Sequence, residues 1–404
     1  MRSTVASPAA YRIEYVDILR GFALVGVFGA NLFIFSGLGY MPEARRALLP
    51  TARLDRVVQL LELIFIENKF LGLFAILFGV SFWLFLEGAR ARGESGDGRL
   101  SLFYRRLGWL FLIGALHGWL LWCFDVLRFY ALWGLMLPLF LRVSQKALLR
   151  AALFFGVLAP AIVIGLRSLL FAVPAADVSL DLLALRAFSS RTYLDVLRAN
   201  WRYDWKLTLS ISQIAYQVAI LGRLLLGLWA ARAGVVSRLS EHRSLFRTVL
   251  LWGSLVGIVC NVLDARHVLD PSPAAGFLSA FAGRFAAEVG YLALSIAYAS
   301  AVALLVQKSR GPERLRALGS VGRMALSLYI FQTMIGLFLF YGFTRGPRLM
   351  GRIGPTWLLP IWIGGYGLQL WLASAWLRRY RFGPAEWLWR SLTYARIQPL
   401  RIRR

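Results

Sequence analysis

Few residues in this chain are able to do chemistry, because most of it is apolar. His117 stands in IGALHGWLLWCFD, next to Gly118 and among aliphatic and aromatic side chains. An imidazole takes and gives a proton near neutral pH, which is what general acid–base work requires. Asp125 follows eight residues later. Folded back onto the ring, its carboxylate would orient the imidazole as a carboxylate does in a catalytic dyad. The alternative is that Asp125 caps the next helix and that His117 is a hydrogen-bonded structural residue. Arg128 and Tyr130 come within two turns of Asp125 and could bind an anion or a hydroxyl.

Asp17 and Arg20 are three apart, so they share a helix face and can pair. Arg20 is then placed to hold an anionic group; alternatively Asp17 caps its helix and Arg20 snorkels to the head groups. Glu67-Asn68-Lys69 interrupts an apolar run, with Glu62 about one turn earlier. Such polar groups avoid lipid and mark either a substrate site or internal pairing with Arg167, Arg223 or Arg284. Arg284 and Glu288, spaced i,i+4, read as a structural pair. Gln332 in SLYIFQT is a neutral polar residue suited to joining helices.

The elements that must position these groups are membrane helices. The chain has 404 residues, 59% of them hydrophobic, and a mean hydropathy of +0.62. Runs of about 20 apolar residues read as spans. They fall at 17–38, 58–86, 107–123, 125–141, 147–171, 207–230, 246–263, 276–306, 321–342 and 356–377. The expected fold is all-α, a polytopic transmembrane bundle of about ten spans. One membrane domain covers 1–377, and a basic cytoplasmic tail covers 378–404. The first apolar run is long and lacks a small-residue cleavage site, which argues against a cleaved signal peptide. The segment near 172–206 places Leu182, Leu185, Tyr193, Leu197 and Trp201 among charges, as one or two amphipathic helices at the outer interface would. It is expected to seal the bundle or to cover a substrate cleft. Cys123 and Cys260 imply no disulfide framework, and His117, His242 and His267 are too scattered for a metal site.

The net charge of +26 would suggest nucleic acid on a soluble protein. Here the charges lie between spans and report orientation. With the N-terminus inside, 28 basic residues fall in inner segments, 13 in outer segments and 5 within spans. Both termini are therefore expected in the cytoplasm. Arg378, Arg379, Arg381, Arg401, Arg403 and Arg404 should face anionic lipid head groups. Trp387 and Trp389 suit the inner interface, and Glu386 is spaced to pair with Arg390. GPAEWLWRSLTY is expected to dock under the bundle or to gate it.

No P-loop, GxSxG elbow or HExxH is present, so nothing supports an ATP-driven pump. The opening RIEYVDILRGFALVGVFGANL resembles that of the YeiB-like bacterial membrane proteins. The resemblance continues through FLGLFAILFGVSF, RRLGWLFLIGALHGWLLWCFDVLRFYALWGL, GRLLLGLWAARAGVV, GRMALSLYIFQT and RFGPAEWLWRSLTY. It implies a multi-pass protein of the bacterial inner membrane. That family is similar to polytopic acyltransferases that move acetyl groups from cytoplasmic acetyl-CoA onto sugars, sharing the Asp17–Arg20–Gly21 opening. The histidine those enzymes carry after their first span has no counterpart in 39–56. His117 is expected to replace it as base, oriented by Asp125. Asp17, Arg20, Glu67, Lys69, Arg128 and Tyr130 are the candidate substrate contacts, and Arg20 a contact to the phosphates or thioester of the acyl-CoA donor. No metal is expected. The acceptor would be an extracytoplasmic glycan or lipid. Two other readings stay open: a transporter or flippase relaying protons through Glu67, Lys69, His117 and Asp125, and a non-catalytic scaffold.

Overall fold

In hydrocarbon the backbone has no partner but itself, so apolar stretches must fold as helices. The computed structural model describes residues 13–170, 178–269 and 276–402. Among them every regular element is helical, apart from one isolated bridge between Tyr380 and Arg401. Residues 172–177 of the outer segment, and Arg403 and Arg404 of the tail, lie outside the described residues.

The helices are α1 (Glu14–Phe35), α2 (Ala52–Phe65), α3 (Lys69–Ala91), α4 (Gly96–Leu116), α5 (Leu127–Gly134), α6 (Gln145–Leu153), α7 (Ala159–Leu170) and α8 (Val178–Phe188). There follow α9 (Tyr193–Leu209), α10 (Ile211–Arg232), α11 (Arg243–Leu269), α12 (Phe277–Val306), α13 (Arg316–Arg323), α14 (Ala325–Phe340), α15 (Pro355–Trp376) and α16 (Pro384–Thr393). Six segments among the described residues are long and apolar enough to cross a bilayer, and α13 with α14, bent by 85°, would make a seventh. This is the build of a membrane protein. The expected crossing at 125–141 is not one straight helix. α5 has 8 residues and gives way to a 3₁₀ turn at Leu137–Phe140. Eight residues rise only about 12 Å, well short of the roughly 30 Å of hydrocarbon.

Helix α1 lies at the centre, against α3, α13, α14 and α15. Its approach to α13 is close enough to be backbone on backbone. A Cβ on Gly21 would sit 2.0 Å from the Leu318 carbonyl oxygen, and one on Gly322 would sit 1.8 Å from that of Asp17. The α3–α10 crossing repeats the device with Gly79 and Gly227. Small residues matter here because helices in lipid gain little from apolar burial and associate through close packing.

The C-terminal segment folds back onto the bundle. Glu386 accepts the backbone N–H groups of Leu326 (2.6 Å) and Ser327 (3.1 Å) and the Ser327 hydroxyl (2.5 Å). It thus caps α14 from another helix instead of forming the expected pair with Arg390, whose guanidinium lies over Phe382 at 4.7 Å. The first amides of a helix lack intrahelical partners and carry the positive end of its dipole, so they attract a carboxylate. Burial pushes the Glu386 carboxyl up from its ordinary range, and the bonds from Ser327 and Leu326 pull it back. Trp389 completes the docking by donating to the Arg106 carbonyl at 2.9 Å, with the Arg106 guanidinium 3.7 Å from its ring.

Gly227→Ala would put a methyl 1.9 Å from the Ile76 carbonyl oxygen, whereas Gly108→Ala meets open space. Gly227→Ala should therefore lower stability by about 1–3 kcal/mol, and Gly108→Ala should leave it unchanged. Thermal unfolding in detergent reads the difference.

Candidate functional site

His117 and Asp125 meet. His117 ends α4 and starts a wider turn in which the Trp122 amide donates to the His117 carbonyl at 2.9 Å, an i→i+5 closure that re-aims the chain. Asp125 lies in the loop that follows. Its Oδ1 is 2.9 Å from His117 Nδ1, and its Oδ2 accepts the Arg128 backbone N–H at 3.0 Å. The capping and orienting roles are thus filled by one carboxylate. Glycine at 114 and 118 makes room for it: a Cβ at 114 would stand 2.6 Å from the Arg128 nitrogen and 2.8 Å from Asp125 Oδ2. The other imidazole nitrogen, Nε2, is 2.9 Å from the Thr333 hydroxyl on α14. All three side chains are buried, His117 being 4% exposed, Asp125 2% and Thr333 0%.

Beside this trio runs a cavity of about 580 Å³, within the roughly 300–1,000 Å³ of small-molecule sites. One end is lined by Arg20, Arg92, Arg106, Arg323, Arg381 and Arg390, and among the described lining residues the acidic ones are Asp17 and Glu386. Asp17 is paired with Arg20 at 2.9 Å, and Arg20 also reaches Ser81 at 2.6 Å. Glu386 is occupied by α14. Arg106 lies within electrostatic reach of Arg390 and Arg20, so the cluster repels itself and would be relieved by a polyanion. Leu24, Val27, Leu71 and Phe78 line the apolar remainder, which ends on Val126, Leu127, Tyr130 and Tyr329. The Tyr329 ring also packs on His117, centroids 5.1 Å apart. The trio itself does not line the cavity; Tyr329 stands between. Among the described residues no group of three His, Cys, Asp or Glu is placed to hold a metal ion.

Of the other candidates, Tyr130 lines the cavity but donates its hydroxyl to the Leu71 carbonyl at 2.8 Å. Arg128 is held by both carboxylate oxygens of Asp204 on α9, Oδ2 lying 2.6 Å from Nη1. Trp119 donates to the same carboxylate at 3.0 Å. Helix α9 therefore turns Asn200 and Asp204 inward and leaves Trp201 and Trp205 about half exposed. Glu67 and Lys69 are elsewhere, at the break between α2 and α3, where Asn68 adopts φ 63°. Lys69 is fully buried, donates to the Leu63 carbonyl and lies 4.8 Å over the Tyr291 ring. Glu62, Glu67 and Asp264 act on it electrostatically. Tyr291 donates to Asp264 at 2.6 Å, and Glu288 joins Arg223 (2.7 Å) to Arg284 (2.5 Å). None of this second cluster lines the cavity.

Residues 230–396 match the family described as "Protein of unknown function (DUF418)". Over 397 residues the chain is 30% identical to the "Uncharacterized 39.9 kDa protein in amylase 3'region" of Bacillus acidopullulyticus, covering 97% of each. The chain belongs to the YeiB-like DUF418 family. It is 27% identical to the "Uncharacterized protein YxaH" of Bacillus subtilis, covering 96% of each, and 28% identical to the "Uncharacterized protein YeiB" of Escherichia coli, covering 95% of the chain and 97% of that protein. No solved structure matches. The stretch matched as DUF418 contains Arg323, Tyr329, Thr333 and Glu386, while His117, Asp125 and Arg20 precede it. Half of this DUF418 site is thus contributed by each part of the chain.

Sequence reading passes over Thr333, Tyr329, Asp204 and three of the six cavity arginines, Arg92, Arg106 and Arg323, and assigns Arg381 and Arg390 to other roles. The available hint was the polar pair Gln332-Thr333 inside an apolar span, of which only Gln332 stands out by type. Gln332 does join helices, donating to Gln369 at 2.8 Å and to the Leu24 carbonyl at 3.2 Å.

Asp204→Ala would strand a buried guanidinium and should cost about 3–5 kcal/mol; Asp204→Asn should cost less. Thermal unfolding of the two variants checks the order. Gly114→Ala should separate Asp125 from His117. The imidazole resonances of ¹⁵N-histidine-labelled protein should then lose the strong Nδ1–H···carboxylate signature.

Proposed function

We propose that the protein is a membrane-embedded acyltransferase of the bacterial inner membrane. An acyl-CoA binds in the cavity with its phosphates among the arginines and its acyl end in the apolar part. His117, held by Asp125, serves as the base that activates a hydroxyl or amine, and the acyl group passes to an extracytoplasmic glycan or lipid. The observation that carries this reading is the cavity lined by arginines and by Tyr329, whose ring also packs against His117. Arginine suits phosphate through its forked, charge-assisted donors. A buried His–Asp pair suits proton transfer from a weak nucleophile.

The same cavity mouth is shared by the start of α1 and by the C-terminal segment. That the start of α1 and the C-terminal segment share this mouth supports an even number of passes between them. The positive-inside bias favours the cytoplasm for that end, where acyl-CoA and anionic lipids are found.

A transport function is the second reading. The ionisable cluster at the α2–α3 break favours it, since interrupted helices bearing charges often hold solutes.

The test is binding and thioester hydrolysis of radiolabelled acetyl-CoA and palmitoyl-CoA by the purified protein in detergent. Arg92→Ala should weaken binding about tenfold, the loss of one charge-assisted contact. His117→Ala should still bind but hydrolyse about 10²–10⁴-fold more slowly. Absence of saturable binding of either thioester by well-folded protein would refute the reading, and solute flux into proteoliposomes would then become the deciding measurement.

A further inference from the structure

Among the described residues, the hydroxyl within hydrogen-bond distance of His117 is that of Thr333. Asp125 can only accept, so the Nδ1 facing it carries the imidazole hydrogen and Nε2 offers its lone pair. The hydroxyl at that lone pair is the one on Thr333, 2.9 Å away. The alternative acceptor for this hydroxyl, the Tyr329 carbonyl one turn back on the helix, is farther at 3.5 Å. Carboxylate, imidazole and hydroxyl come from three elements and stand in the order of a nucleophile relay. In the resting protein Nε2 is occupied by Thr333, so Thr333 is the first hydroxyl it can deprotonate.

Resting on the acyltransferase reading above, we propose that Thr333 is the covalent carrier of the acyl group. Thr333 Oγ gives its proton to His117 Nε2 and attacks the thioester carbonyl carbon. The C–S bond breaks, the thiolate takes the proton from His117, and an ester remains on Thr333. In the second half the acceptor hydroxyl gives its proton to Nε2 and attacks the ester carbonyl. The bond to Thr333 Oγ breaks, and that oxygen recovers the proton. Thr333 is fully buried, which protects the ester from water. It lies one turn beyond Tyr329, which lines the end of the cavity nearest His117, so Tyr329 must move aside to admit the thioester. A carrier at this depth also explains how a donor from one face of the membrane could serve an acceptor on the other without both being bound together.

The experiment incubates the full-length protein with acetyl-CoA, without acceptor, and maps acetylated peptides by mass spectrometry before and after hydroxylamine. The expected result is one hydroxylamine-labile acetyl group on the peptide bearing Thr333. It should be absent in Thr333→Val and His117→Ala and present in Thr333→Ser. Acetyl-CoA turnover should fall on the order of 10³–10⁴-fold in Thr333→Val and recover in Thr333→Ser, with melting temperatures of the two variants compared to exclude misfolding. Turnover at the wild-type rate in Thr333→Val, or an acetyl group mapped to another residue, would overturn the carrier and leave the acyltransferase reading standing. No turnover of acetyl-CoA or palmitoyl-CoA by the wild-type protein would overturn both.

Discussion

A carboxylate buried in a helical bundle must find a donor for each oxygen, because there is no water to supply one. Asp125 finds its donors on two elements at once, the imidazole at the end of α4 and the Arg128 amide in the first turn of α5. That double demand sets the geometry of the whole hairpin. The chain has to reverse within a few residues of His117, which the widened turn at 117–121 allows. α4 has to present hydrogen where α5 comes closest, at Gly114. With Nδ1 committed, the free nitrogen of the ring points across to α14 and meets Thr333. A single acidic residue therefore ties three elements together and decides which imidazole nitrogen is left for chemistry.

The cavity depends on the same logic at its other end. Six arginines gathered at one mouth would repel one another in a dry interior. They are tolerated because the mouth lies at the edge of the bundle and because aromatic faces share the load, as Trp389 does for Arg106. The C-terminal helix supplies part of this wall and is held by Glu386 on the first amides of α14. The bend of 85° between α13 and α14 leaves those amides without intrahelical partners. The bend thus serves twice: it opens the amides that anchor the C-terminal segment, and it turns α14 so that Tyr329 and Thr333 face α4.

The second polar cluster, around the α2–α3 break, is nearly charge-balanced: Glu62, Glu67, Asp264 and Glu288 stand against Lys69, Arg223 and Arg284. Burying such charges gains little stability over apolar packing, and removing one partner is costly. Its separation from the cavity means that the protein carries two independent polar systems in one apolar bundle. The arginine cavity has an excess of one sign and room for a ligand. The break cluster has both signs and is packed.

Hydropathy and charge are local properties, so the sequence alone determined that the chain is helical and membrane-embedded, and the ordered motifs from RIEYVDILRG to RFGPAEWLWRSLTY determined its family. The types and spacing of Asp17 with Arg20, Arg284 with Glu288, and His117 with Asp125 were readable for the same reason, since the partners lie only three, four and eight residues apart. Contacts made across the bundle leave no such period. Thr333 lies 216 residues from His117, and Asp204 lies 76 from Arg128; nothing in either segment announces the other. Glu386 showed an obvious neighbour at i,i+4 and bonded elsewhere, because the amides at the start of α14 lack intrahelical partners and the Arg390 guanidinium is drawn over Phe382. The shortness of α5 was hidden because an apolar run has the same composition whether it is straight or broken. Only packing decided which polar groups share a site, because in a water-free interior each must be satisfied by whichever partner the helix crossings bring within reach.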